Sequence, residues 1–183
     1  MSTSAILTPH APRTIRTEPL TAETFAPYGH VVMAERGDVV GKPANQGTAK
    51  RYNWLGPVEN LRPANAKLNL CLFRCSPRTT WPLRVEIMEK HPLSTQVVVP
   101  MNASRYVVLV AKPGTDMPDL STLRAFVATG LQGVAYHPGT WHHPLLALGA
   151  ETDFGCVVWE DESDGDCTLV TLPESEQPLI ELI

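Results

Sequence analysis

Arg84-Val85-Glu86-Ile87-Met88-Glu89-Lys90-His91 alternates with a period of two. Successive side chains of a strand point to opposite faces, so Val85, Ile87, Glu89 and His91 share one face and Arg84, Glu86, Met88 and Lys90 the other. Valine and isoleucine mark the odd face as the buried one and leave the mostly charged even face for solvent. Glu89 and His91 are therefore expected to point into an apolar interior, where an unpaired charge is costly. Two ionisable groups side by side in such a place point to a partner, a bound metal or chemistry.

Outward from this stretch, 17 prolines and 12 glycines punctuate the chain into short apolar runs. Short runs bounded by turn residues favour strands over helices. Strands are predicted over 51–55, 67–74, 84–91, 95–100, 105–111, 123–128, 134–137, 143–147, 153–160 and 167–172. One short helix is predicted near the start, with Thr21 capping a turn that runs to Phe25 before Pro27 and Gly29 end it. The fold class is mainly all-β, a sandwich or barrel of the jelly-roll kind with one or two short helices. Residues 1–17 read as a flexible tail and 18–183 as one domain. The stretch from Arg36 to Lys50 is Gly/Ala/Asn-rich without hydrophobic periodicity and reads as a mobile binding loop.

Composition excludes several classes. Fifteen basic against 19 acidic residues give a net charge of -4, with no basic stripe for nucleic acid. No apolar run approaches the roughly 20 residues of a membrane helix, so a cytoplasmic protein is expected. Cys71, Cys75, Cys156 and Cys167 contain no Cys-x-x-Cys pair and read as free thiols in a reducing compartment. Glu160, Glu162, Asp164 and Gly165 imitate the first half of a calcium loop, but Thr171 stands where the bidentate glutamate belongs, so a solvated acidic turn is expected. Arg36-Gly37-Asp38 and the glycosylation-like Asn102-Ala103-Ser104 are read as chance matches.

The chemistry-bearing residues fall in two segments. Glu89-x-His91 is followed by Gln96, and Gly139 is followed by Trp141, His142 and His143. At this spacing a small β-barrel brings side chains from two hairpins to one mouth, where Glu89, His91, Gln96 and His142 converge. Imidazole with carboxylate or amide oxygen suits a first-row divalent metal. His143, next to His142 on a strand, is expected to face the other way yet remains a candidate for substrate binding. His137 reads as a turn or supporting residue, and His10 and His30 as structural. Leu68, Leu70, Leu72 and Arg74 share one parity, so Arg74 is expected on the apolar, inward face, where a guanidinium wants a carboxylate from substrate or protein. Arg51 is the second candidate for an anion, and Tyr136 a candidate proton donor at the pocket rim.

The two histidine segments resemble degenerate versions of the two cupin motifs. More closely, the chain resembles the ureidoglycolate lyase family, formerly described as ureidoglycolate hydrolases. The resemblance runs from Phe25-Ala26-Pro27-Tyr28-Gly29 almost to the end. It is strongest over residues 89–96 with Val99-Pro100-Met101, over residues 118–126, and over Tyr136-His137 with Trp141-His142-His143-Pro144-Leu145. Asn45, Gly47, Arg51 and Tyr52 also match the family's loop and strand start. The resemblance implies a cupin barrel, a homodimer, and cleavage of ureidoglycolate to glyoxylate and urea in allantoin breakdown. It also implies nickel, although Glu89 stands where cupins in general place a first histidine and Gln96 where they place glutamate, a neutral substitution that weakens metal affinity.

Elimination from ureidoglycolate needs a hydroxyl proton removed and the departing nitrogen protonated. The expected assignment gives the carboxylate to Arg51 and Arg74, and the hydroxyl to a metal on Glu89, His91, Gln96 and His142 or directly to a histidine. Tyr136 or a histidine is then the acid. The competing readings are another metal-dependent cupin enzyme, an oxygenase or isomerase, and a non-catalytic small-ligand sensor.

Overall fold

The strand Arg105–Ala111 is buried along nearly its whole length, and its two faces enter different cores. Tyr106, Val108 and Val110 join one cluster, whereas Val107, Leu109 and Ala111 join the other. A strand buried on both faces reads as a continuous apolar run. This one belongs to the middle layer of three. The computed structural model describes residues 12–62, 66–163 and 165–183.

The central sheet orders the strands Thr168–Thr171, Ile87–Lys90, Trp141–His142, Arg105–Ala111, Arg124–Thr129 and Glu18–Pro19, with Leu146–Ala147 also paired to Arg105–Ala111. A five-stranded sheet faces it, in the order Gly29–Val32, Gly133–Tyr136, Val97–Pro100, Thr152–Glu160 and Lys67–Cys75. Between these two sheets lies the first core, with Phe25, Tyr106, Phe126, Val134, Phe154 and Cys156 among its members. A small sheet of Thr14–Arg16, Leu179–Glu181 and Leu83–Arg84 covers the other side of the central sheet over the second core, which holds Leu83, Val85, Met88, Trp141 and Ile180. The architecture is all-β and cupin-like, with one short α-helix among the described residues, Ala22–Phe25. Thr21 caps that helix as the sequence predicts, its side chain accepting from the Thr24 amide at 3.1 Å.

Three-layer packing corrects the reading of residues 84–91. The stretch is two strands, Leu83–Arg84 and Ile87–Lys90, that belong to different sheets. Between them the Val85 amide bonds the Pro178 carbonyl, and the Glu86 carbonyl accepts from Leu172. Parity breaks at this change of partner, so Val85 and Met88 enter the same core. The even face is therefore solvated only at Arg84 and Glu86, and is covered at Met88 and Lys90. Lys90 is buried there, donating to the carbonyls of Thr115 (2.8 Å) and Gly114 (3.2 Å) and lying 4.5 Å over the Trp141 ring. Glu89 and His91 do face the barrel, but because the central sheet has an apolar layer behind it, not because Val85 shares their side.

Three further expectations change. The chain is already in a strand at Thr14–Arg16, paired in parallel with Leu179–Glu181, so the tail reading fails from Thr14 onward; His10 lies outside the described residues. The Arg36–Lys50 loop contains a hairpin, Lys42–Ala44 against Ala49–Arg51. Arg36 is nearly enclosed and binds Asp38 with both Nε and Nη2 while donating to the carbonyls of Val31 and Leu55, which makes Arg36 a tether while Gly37 and Asp38 stay exposed. Asp164 of the acidic turn also lies outside the described residues.

Candidate active site

His142 and Glu89 are directly opposed across the antiparallel pair Trp141–His142 and Ile87–Lys90. Opposed residues share a face, so both side chains enter the barrel together. A cavity of about 300 Å3 opens there, lined by Glu89, His91, Gln96, His142 and His143 among others. Four residues predicted from two separate segments thus converge. A second cavity of about 250 Å3 shares His91, Gln96, Phe73 and Cys167 with the first and extends to Arg62 and Asp166.

The ring nitrogens have fixed duties. His142 Nδ1 lies 3.0 Å from the Thr140 carbonyl, and His91 Nδ1 lies 2.7 Å from that of Asp166. A carbonyl only accepts, so both imidazoles carry their proton on Nδ1 and present Nε2 to the cavity side. His91 Nε2 faces Gln96 Nε2 at 2.9 Å, which makes the Gln96 amide the donor. His142 Nε2 stands 3.4 Å from Glu89 Oε1 but out of line for a hydrogen bond, and this buried atom has no such partner among the described residues. An imidazole lone pair and a carboxylate facing each other repel unless a cation lies between them.

Burial by itself would raise the Glu89 carboxyl, yet the approach of His142, with His91 and His143 behind it, holds it below the ordinary value. Burial pushes His91 down, and the charge of His142 adds to that. His143 is likewise pushed down by burial, against the pull of its Nδ1 contact to the Pro144 carbonyl at 2.8 Å. His143 lines the same cavity as His142 because the strand ends at His142, so the alternation expected to turn it away no longer holds.

Other expected site residues lie elsewhere. Arg74 is exposed on the outer face of the five-stranded sheet, bound to Asp153 by Nε (2.8 Å) and Nη2 (2.9 Å) and near Glu151. The shared parity of Leu68, Leu70, Leu72 and Arg74 was sound, but that face points out: the three leucines are 55%, 76% and 52% exposed. Arg51 is exposed at the end of its hairpin strand and does not line either cavity. Tyr136 is not at a rim. Its ring is buried beneath His142, centroids 4.3 Å apart and nearly parallel, and burial raises its phenol well above the usual value. His137 and His30 meet edge to face at 4.9 Å outside the cavity, His137 also reaching the Ala26 carbonyl, which fits their structural reading.

The inward face of Lys67–Cys75 carries cysteine. Cys75, Cys156 and Cys167 line the first cavity and Cys71 the second, with Cys71 directly opposite Cys156. Cys71, Cys75 and Cys156 are free thiols, and burial pushes Cys156 up to about 12, so it stays protonated. The signal for these residues was in the sequence as the odd parity of residues 67–75. It was obscured because the even parity is the more apolar.

The donors expected to hold a metal do not form a cage in this arrangement. His91 Nε2 and Gln96 are spent on each other, and Glu89 faces only His142. Among the described residues no three of His, Cys, Asp or Glu gather as a metal site.

A family model described as ureidoglycolate lyase matches residues 12–178. A ureidoglycolate lyase of Pseudomonas paraeruginosa (strain PA7) is 37% identical over 169 residues, covering 92% of this chain and 96% of the relative. One from Pseudomonas aeruginosa (strain LESB58) gives the same identity and coverage. One from Salmonella paratyphi B (strain SPB7) is 42% identical over 159 residues, covering 86% of this chain and 94% of the relative.

Proposed function

Because the chain belongs to the ureidoglycolate lyase family, we propose that the Glu89–His91–His142 cavity eliminates urea from ureidoglycolate, leaving glyoxylate. The observation that supports this reading is the placement of His91 and the opposed Glu89–His142 pair around one sheltered cavity. His91 has a lone pair at Nε2 and its proton tied to a carbonyl, which makes it the base for the substrate hydroxyl. His142, held against the Glu89 carboxylate, supplies from Nε2 the proton that the departing nitrogen needs.

The step balances within these residues. The hydroxyl proton moves to His91 Nε2, the C–O bond becomes a carbonyl, and the C–N electron pair leaves on the ureido nitrogen. That nitrogen takes the proton from the Glu89–His142 pair. Gln96 must give up the His91 lone pair as the hydroxyl arrives. Proton return from His91 to His142 through solvent or product resets the site. The test is glyoxylate and urea formation by the purified protein, with His91→Ala and His142→Ala as controls. Full activity in both variants would sink the assignment.

Nickel, which the family resemblance implies, has no step in this reading. Arg51 and Arg74 have no part in it either. No helix among the described residues is long and apolar enough to cross a membrane.

The homodimer that the resemblance implies has a face to use. Leu72, Gly155 and Val99 are cross-strand neighbours on the outer side of the five-stranded sheet, as are Leu70, Val157 and Val97. Leu70 is 76% and nearby Met101 66% exposed. Contiguous exposed apolar surface of this kind marks an interaction site. Gly155 at its centre lets a second surface approach the backbone, and a second copy of this chain is the occupant we assign.

A further inference from the structure

Asp166 is remote in sequence from every residue given a chemical role, yet three segments of the chain close around it. Its carboxylate accepts from the Leu93 amide at 2.7 Å, from Arg62 Nη2 at 2.9 Å and from the Ser94 hydroxyl. Its main-chain carbonyl takes the Nδ1 proton of His91 at 2.7 Å. Asp166 and Ser94 are buried, and the Arg62 side chain is only 6% exposed. Arg62 is itself placed by residues 59–62, which run against 93–95 through the Asn60–Ser94 bridge and the Leu61 amide to the Leu93 carbonyl. The same guanidinium binds Asp161 at 3.1 Å and the Trp159 carbonyl.

The consequence follows from valence. A backbone carbonyl beside an imidazole nitrogen fixes the proton on that nitrogen and the lone pair on the other. The carbonyl can do so only while its own peptide is held still. Here the holding is done by the Asp166 side chain, whose charge is balanced by Arg62. Resting on the reaction assigned above, we propose that Arg62 and Asp166 are positioning residues that lock His91 in the Nδ1–H tautomer and so keep Nε2 available as the base. Without them the His91 ring is free to put its proton on Nε2, where it blocks the hydroxyl and leaves Gln96 without an acceptor.

The test is nitrogen NMR of 15N-histidine-labelled protein at pH 8, with His91 assigned by difference against His91→Gln. Wild type is expected to show His91 with a protonated Nδ1 and an unprotonated Nε2. Asp166→Asn and Arg62→Met are expected to average the two nitrogens, and to lower kcat by about tenfold or more with a smaller change in KM, the scale of a lost orienting contact. Arg62→Lys keeps the charge and should recover most of both. If Arg62→Met does not fold, Ser94→Ala, which removes one donor to the same carboxylate, replaces it with a smaller shift in the same direction. A wild-type His91 protonated at Nε2, or variants that keep the wild-type nitrogen pattern, would overturn the proposal. A wild type that locks the tautomer but does not cleave ureidoglycolate would instead overturn the assigned reaction.

Discussion

His142 and Glu89 are cross-strand partners whose side chains meet at 3.4 Å inside the barrel, with the imidazole Nε2 turned to the carboxylate and not to a neutral acceptor. The contact depends on register. A slip of one residue between Trp141–His142 and Ile87–Lys90 would send one of the two to the apolar layer behind the sheet. Glu89→Gln keeps the shape but removes the charge that His142 Nε2 faces. It is expected to lower kcat by ~10²–10⁴, the usual contribution of a general acid or base, with circular dichroism unchanged. Steady-state glyoxylate release checks this, and near-normal turnover would remove Glu89 from the chemistry.

Tyr136 separates two readings of one residue. Its ring supports His142 from below, and Tyr136 is not among the residues that line the cavity. Tyr136→Phe should therefore leave kcat within about threefold, whereas loss of a working acid costs ~10²-fold or more. Tyr136→Ala should destabilise the protein by about 3–5 kcal/mol, as large aromatic truncations do. Denaturant melts of both variants beside their kinetics distinguish scaffold from acid.

Arg74 lies on the outside with its charge already answered by Asp153. Arg74→Ala should leave kcat and KM within about twofold, as surface substitutions generally do. A large rise in KM would show that this face contributes to a substrate site after all.

Stability should fall as the solution is acidified below about pH 6.5, the ordinary histidine value. His30, His91 and His143 are all pushed down, each first by burial, so the folded state refuses protons that the unfolded chain accepts. Because the unfolded state binds more protons in that window, the stability present above the unfolded value is lost as pH drops toward the folded ones. The depressed carboxylates Asp38 and Asp161, both held down first by side-chain hydrogen bonds, extend the loss at lower pH. Urea midpoints at pH 7.5 and 5.5 measure it. An equal or higher midpoint at pH 5.5 contradicts the assignment.

Two bulk properties follow from the same faces. Light scattering should find a dimer, and Leu70→Lys, which puts a charge at the middle of the apolar outer sheet, should yield a folded monomer. Prolonged EDTA treatment with metal analysis should leave most of the activity, since the proposed steps use only Glu89, His91 and His142. Activity lost with EDTA and restored by nickel would overturn the metal-free steps.

Local alternation and residue type were enough to find the strands near Lys67, Arg105 and Thr152, the Thr21 cap, and the set Glu89, His91, Gln96 and His142. Those features depend on neighbours in the chain, or on hairpins whose register follows from the pleat. Period two states which residues share a face, but not what that face meets. Leu68, Leu70 and Leu72 therefore looked like core and proved to be outer surface, carrying Arg74 out with them, while Met88 and Lys90 of the charged-looking face proved to be covered. The contacts of Asp166 with Arg62 and His91 join residues 104 and 75 positions apart. Only the packing of three segments brings them together, because hydrogen-bond partners at such separations are chosen by the closed barrel and leave no periodic mark in the sequence.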